Sequence, residues 1–419
     1  MSAIRLVRKC KESGLPITIE DLLSARGISE LSQKAASKGA VRGLVANDSV
    51  SSIDETDDSS PHLPVGISPG DVESISLCTP MQEHMLANAA KGFYHLQMKF
   101  DIELAGDLDV SRLQKAWYEV IDRHSAMRIC FVRDGDHPKR HYQAILRAPA
   151  EKTMMWKDLS PEPTPHTGFV KNANSWKINE PWHRFTLQKK DSGQIFLMFR
   201  ISHAITDAVS LGIVFHDLAL AYEGRLSRVR TAQFPEFLAE LQCSQTESSL
   251  YWRNYLSGAK PSLIPTDSTL PLSQMQLLQT PLSHPGTYRI ILFCKRAGIS
   301  VSHFFHMAWA LLLRSNLSNQ DEVSFGYVTS NRDMDLESVE SIVGPLLCTL
   351  VCRQQLPYSK LLKDFLTAVR DDAVNSMSKR YYDMQRTEVE LELNEKGLFN
   401  TMVNFRFVMR TCLSVSDLS

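Results

Sequence analysis

The sequence predicts a mixed helix-and-strand protein, α/β in the α+β sense, and three observations lead there. From Ile75 onward, segments with helical apolar spacing alternate with short apolar runs. Ile195-Phe-Leu-Met-Phe-Arg-Ile201 is a nearly continuous apolar run, suited to a buried strand, and Val209 to Tyr222 directly after it switches to three- and four-residue spacing. Val301 to Asn316 then repeats the helical spacing ahead of the strand-like Glu322-Val-Ser-Phe-Gly-Tyr-Val. No solenoid period is visible, and two similar lobes of this kind fit the pattern.

Taken in order, residues 2–37 read as short helices. Ile4, Leu6 and Val7 form one apolar face, and Gly14-Leu-Pro and Gly27 punctuate the rest of the segment. Residues 46–75 hold seven acidic residues and no Lys or Arg in a Ser, Pro and Gly matrix. Such a stretch cannot bury enough apolar surface to offset its ordering entropy, so it is expected to be a flexible linker. Residues 80–91 and 109–124 have helical spacing, the second with Leu113, Trp117, Val120 and Ile121 on one face. In the helix that ends at Tyr222, Leu211, Val214 and Leu218 recur on one face, and Gly224 stands where a helix-terminating glycine is expected.

Composition narrows the function classes. With 419 residues, 43% hydrophobic and 22% charged, the chain is long enough for two or three compact units. A net charge of -1 argues against nucleic acid and anionic membrane as partners. Phe304 to Leu313 and similar runs are too short to span a bilayer, and residues 1–20 are too interrupted by charge for a secretory signal. The eight cysteines lack metal-ligand spacing, so no metal site is expected; reduced thiols in a cytoplasmic protein are.

The chemistry centres on His203, between the buried strand and the following helix, with Thr206 or Asp207 as the natural N-cap. A histidine held there by rigid elements, near the positive end of a helix dipole, is suited to handling a proton. Asp207 would face back along the first helical turn, and a buried carboxylate needs a cationic partner such as an arginine. By spacing alone, His-x3-Asp leaves two readings open: a catalytic pair, or a structural histidine beside a capping aspartate.

Ser202-His203-Ala204-Ile205-Thr206-Asp207-Ala208 resembles the active-site motif of nonribosomal peptide synthetase condensation domains, usually written HHxxxDG. Ser202 replaces the first His and Ala208 the Gly, a pattern similar to the fungal SHxxxD branch. Other blocks follow in the family's order. Thr79-Pro-Met-Gln82-Glu-His-Met85 resembles the opening SxxQxxM motif, and Arg123-His124 through Arg128-Ile-Cys-Phe131 resembles RHxxLRTxF. Phe325-Gly326 through Ser330-Asn331-Arg332 resembles FGxxxSGR with Asn331 for the glycine. Val343-Gly344-Pro345 through Cys352-Arg353 resembles VGPFINTLPCR with Cys348 where Asn is usual, and Leu398-Phe399-Asn400-Thr401 matches a late LFNT block.

The resemblance implies two chloramphenicol-acetyltransferase-like lobes in a V-shaped domain, residues 75–230 and 231–419, with a tunnel between them. It implies a condensation reaction of fungal secondary metabolism: an amide, ester or cyclising bond formed between a phosphopantetheine-tethered donor and an amine or hydroxyl acceptor. His203 would be the catalytic residue. Asp207, Arg332 and Ser202 would be structural at the site, Arg332 pairing with Asp207. Gly344, Thr349 and Asn400 would line the tunnel or the lobe interface. No cofactor is expected to be bound; 4'-phosphopantetheine arrives on carrier domains, which are the expected partners. Residues 1–40 resemble the later helices of a peptidyl carrier domain without its phosphopantetheine serine, followed by the linker at 41–74. The second lobe, 231–419, is expected to be truncated. Two alternatives stand beside this: an inactive synthetase fragment, and a free-standing coenzyme A-dependent acyltransferase, whose plant-type late DFGWG segment does not occur here.

Overall fold

The computed structural model describes residues 27–42, 67–90, 97–104, 108–133, 140–147, 180–189, 195–265, 280, 282–317, 321–334, 336–359, 361–392 and 397–405, with scattered residues between 6 and 25. In chain order the elements are α1 (Ile28–Arg42), β1 (Val72–Leu77), α2 (Pro80–Ala90), β2 (Gln97–Leu104), α3 (Val110–Arg123), β3 (Ile129–Arg133), β4 (His141–Leu146), β5 (His183–Lys189), β6 (Ile195–Ser202) and α4 (Ala208–Tyr222). They continue with α5 (Phe234–Cys243), α6 (Gln245–Leu256), α7 (His284–Ala297), α8 (Val301–Asn316), β7 (Glu322–Ser330), β8 (Leu347–Gln355), α9 (Leu362–Met377), α10 (Met384–Glu390) and β9 (Met402–Val403).

Two compact units emerge. The first takes the described residues of 57–240 together with 336–347; the second takes those of 1–56, 241–335 and 348–407. The short segment 336–347 thus joins the first unit although the chain on both sides of it belongs to the second.

The first unit holds two antiparallel sheets, ordered β1-β4-β3 and β2-β6-β5. β6 is central in its sheet, which fits its apolar composition: Gln97 to Leu104 pairs it on one side and His183 to Lys189 on the other. Trp117 on α3 is fully buried over this sheet. Its ring stacks on Phe185 at 4.5 Å and meets Phe199 edge-on at 5.3 Å, and those two residues are cross-strand partners. Arg123 and His124, from the RH block, both reach Asp217 on α4, at 3.0 and 2.9 Å. Burial alone would raise the Asp217 carboxyl, but the hydrogen bond and charge of His124, with Arg123 beside it, hold it below its ordinary value. Arg128 is bonded to Glu73 at 2.6 Å and to the carbonyls of Leu146 and Arg147, so this block ties elements together.

Residues 67–74, assigned by composition to the linker, instead form a single 3-10 turn and the start of β1. Ser68 and Asp71 close that turn with their side chains, and β1 then pairs with β4. The centre of the acidic stretch, 43–66, lies outside the described residues.

The second unit is built on a sheet ordered β8-β7-β9, with β7 and β9 parallel. Its core gathers Trp252, Leu313, Phe325, Leu350 and Leu366, all buried. Gly326 has a packing reason here: a Cβ at that position would lie 2.7 Å from the Phe399 ring. The FG and LFNT blocks therefore meet, and the Gly326 amide donates to Thr401 O at 3.0 Å. Near the N-terminus, Val7, Ile17 and Ala35 bury one another, with Met377 of α9 packed against them. Among the described residues no helix is long and apolar enough to cross a membrane.

Candidate active site

His203 lies in the five-residue loop between β6 and α4, half-buried, while Ala204, Ile205 and Thr206 behind it are fully buried. The loop is closed on itself. The Ser202 hydroxyl accepts from Ala204 N at 3.1 Å, and Ser202 O accepts from Ile205 N at 3.2 Å. Ser202 is itself buried, and its amide donates to Trp182 O at 2.9 Å. The His203 ring sits with Nδ1 3.3 Å from Thr206 O. A carbonyl can only accept, so this contact selects the tautomer with the proton on Nδ1, in which Nε2 carries a lone pair.

Asp207 is the N-cap of α4, at 2% exposure, and accepts from Ser210 N at 2.7 Å. Of the two N-cap residues the sequence allows, Asp207 takes the role. Its other oxygen accepts from the backbone amide of Leu346 at 3.3 Å. Ser210 completes the attachment: its hydroxyl donates to Gly344 O at 2.8 Å and accepts from Gly344 N at 3.0 Å. The returning segment 336–347 is thereby fixed to the first turn of α4. Gly344 must be a glycine for steric reasons, because a Cβ there would fall 2.3 Å from the Phe234 ring.

From the other side Gln82 reaches the loop. It is fully buried on α2 and donates to Ala204 O at 3.0 Å and to Gln143 at 2.9 Å. Its side-chain oxygen accepts from Thr79 N, and its backbone N–H donates to the Thr79 hydroxyl. Gln143 in turn donates to Leu77 O at 3.1 Å. The sequence alone assigns no role to Gln82, Gln143 or Ser210. The one usable signal is Thr79-x-x-Gln82, the reciprocal capping pattern at a helix start.

The remaining expected site residues belong to the second unit. Arg332 is buried in the turn after β7, with its amide donating to the Ser330 hydroxyl at 3.2 Å. Its neighbour Asp333 forms a buried ion pair with Arg380. Thr349 is on β8, with its methyl carbon 3.4 Å from where a Gly326 Cβ would be. Asn400 holds Ile264 by both backbone groups, accepting at 2.9 Å and donating at 2.8 Å. Two departures from the resembled motifs touch: the Cys348 thiol donates to Asn331 Oδ1 at 3.4 Å, with both side chains buried. The first unit thus gathers His203, Ser202, Asp207 and Gly344 around one loop.

A family model described as "Condensation domain" matches residues 72–416. The chain is 29% identical over 428 residues to nonribosomal peptide synthetase 8 of Aspergillus fumigatus, covering 96% of this chain and 5% of that protein. It is 28% identical over 422 residues to D-lysergyl-peptide-synthetase subunit 1 of Epichloe festucae var. lolii, covering 96% of this chain and 11% of that protein. The chain therefore spans only a small part of the length of these relatives. Among solved structures, the X-domain from teicoplanin biosynthesis superposes with a TM-score of 0.63 at 19% identity, covering 78% of this chain and 76% of that one. A starter condensation domain of rhizomide synthetase, in complex with C8-CoA, superposes at 0.58 and 17%, covering 79% and 78%. At that identity the structures speak for the fold.

Proposed function

The chain belongs to the condensation-domain family, and from that premise we propose that it transfers a thioester-bound acyl or peptidyl group to an amine or hydroxyl acceptor, with His203 as the proton acceptor. The observation that carries the reading is the braced loop in which His203 Nδ1 faces Thr206 O at 3.3 Å. With the proton held on Nδ1, Nε2 takes the proton that the acceptor loses as it attacks the thioester carbonyl. The tetrahedral intermediate collapses by breaking the carbon–sulfur bond, and the departing thiolate takes that proton back from Nε2. No enzyme-bound acyl intermediate is required.

In this reading the substrates are phosphopantetheine thioesters presented by carrier domains, and the arm is part of the substrate. Asp207 is a positioning residue: it caps α4, and Ser210 beside it holds Gly344 of the returning segment. In the same reading the Ser202-His203-x3-Asp207 loop is a fungal SHxxxD variant, and residues 1–40 are the later helices of a carrier domain. Supporting these finer assignments are the motif order and the fungal relatives.

The test is turnover of a peptidyl pantetheine thioester with an amine acceptor by the purified chain, beside His203→Ala. Loss of product in the variant is expected. Equal turnover by the alanine variant, or thiol release without a coupled product in the unmodified chain, sinks the mechanism. Running holo-carrier and free coenzyme A thioesters in parallel separates a synthetase-type donor from a coenzyme A-dependent one.

A further inference from the structure

We propose that Gln82 is a positioning residue for His203: its carboxamide sets the place of the histidine loop by holding Ala204 O. The inference deepens the acyl-transfer reading and rests on it for its kinetic consequence. The bond between Gln82 Nε2 and Ala204 O spans 122 residues and ends on the carbonyl next to His203.

The orientation of the carboxamide follows from the helix start. Thr79 N needs an acceptor because it precedes α2, and Gln82 Oε1 supplies it at 2.9 Å. That places Oε1 toward Thr79 and turns both Nε2 hydrogens the other way. One hydrogen goes to Gln143 Oε1 at 2.9 Å and the other to Ala204 O at 3.0 Å. Every donor and acceptor of the side chain is used, and the residue has no exposure to solvent. A wholly satisfied buried network rigidifies the backbone it holds. Here it holds the loop whose own bond, His203 Nδ1 to Thr206 O, selects the tautomer. The charge-free Gln side chain suits this task, whereas Glu keeps the cap and loses the donors facing Ala204 and Gln143.

The experiment compares the unmodified chain with Gln82→Glu, Gln82→Met and Asp109→Ala. Asp109 caps α3 and is remote from the histidine loop in sequence, so its variant reports a stability loss in the same unit without the brace. Two readouts are taken: the His203 ring tautomer by 15N spectroscopy, assigned with His203→Gln, and kcat against KM for the thioester reaction. Both Gln82 variants are expected to lose the uniform Nδ1–H tautomer. Their kcat should fall about tenfold to a hundredfold, the scale of a small misplacement, with KM nearly unchanged. Asp109→Ala should keep the tautomer and kcat. An unchanged tautomer and kcat in folded Gln82 variants overturns the proposal, as does an effect no larger than that of Asp109→Ala.

If the Gln82 variants do not fold, the unmodified protein decides. Its Gln82 side-chain hydrogens should exchange slowly with solvent, and fast exchange overturns the proposal. Absence of turnover in the unmodified chain would count against the acyl-transfer reading, while the tautomer comparison still tests the brace.

Discussion

Ser210 and Gly344, 134 residues apart, exchange two hydrogen bonds, hydroxyl to carbonyl at 2.8 Å and amide to hydroxyl at 3.0 Å. Ser210 is fully buried, so replacing it by Ala strands the Gly344 N–H away from water and leaves Gly344 O with the Leu346 amide at 3.0 Å. Ser210→Ala is expected to destabilise the first unit by about 1–3 kcal/mol per stranded group. Denaturant unfolding followed by tryptophan fluorescence measures it; an unchanged midpoint would show that Gly344 is held by other means.

Gly344 gives a second expectation of a different kind. With a Cβ at 2.3 Å from the Phe234 ring, Gly344→Ala forces either the ring or the segment to move. Overpacking of this kind costs about 1–3 kcal/mol. Phe234→Leu in the Gly344→Ala background should recover part of the loss, because it removes the obstructing ring. A double variant weaker than the sum of the two singles would contradict the assigned clash.

The Cys348 to Asn331 contact predicts coupling. Burial pushes the Cys348 thiol up to about 12, so it should resist alkylation until the protein unfolds. Asn331→Gly removes its acceptor and leaves a void, and Cys348→Asn crowds the existing amide. The double exchange restores the residue types of the resembled motifs, and a thermodynamic cycle should show a favourable coupling of about 0.5–3 kcal/mol. Strict additivity would mean that the two positions act independently.

Asp372 on α9 supplies a pH dependence. Burial raises its carboxyl to about 7, although Tyr255 and Gln354 donate to it at 2.7 and 3.2 Å and oppose that rise. The unfolded carboxyl titrates at its ordinary value of 3.8, so between about 4 and 7 the folded protein binds the extra proton. The contribution is therefore present at low pH and is lost as pH rises toward 7. Asp372→Asn should remove that slope and raise stability at pH 8 relative to pH 5. His303 and His306 of the same unit act oppositely. Burial lowers both to about 4, so their contribution is lost as pH falls from 6.5 toward 4. Melting curves of the unmodified chain and of the Asp372→Asn variant, taken from about pH 4 to pH 8, test the sign. A pH dependence that is the same in the unmodified chain and in Asp372→Asn refutes the assignment to Asp372.

Much of the fold was legible because burial follows local periodicity. Leu113, Trp117, Val120 and Ile121 are buried together on α3, as are Leu211, Val214 and Leu218 on α4. The histidine loop was legible for the same reason, lying where an apolar strand gives way to a helix start. Charge alone gives an incomplete picture of Asp207, since two backbone amides already use its carboxylate. Nothing local announces such amides. Gln82 shows the same limit: its cap can be read from Thr79, but its bond to Ala204 joins residues that no spacing relates. Residues 336–347 could not be assigned to the first unit because their attachment depends on Ser210 and Asp207, far upstream.

That returning segment also shapes how such a chain can be recombined. A gene crossover anywhere between codons 241 and 335 would give a progeny protein one parent's Asp207 and Ser210 and the other parent's Gly344 and Leu346. The histidine-bearing unit is inherited intact only when both pieces come from the same parent, or from parents whose helix start and returning backbone already match. Exchange points before Asp207 or after Leu346 leave the partnership whole, so natural or engineered chimaeras should be viable there first.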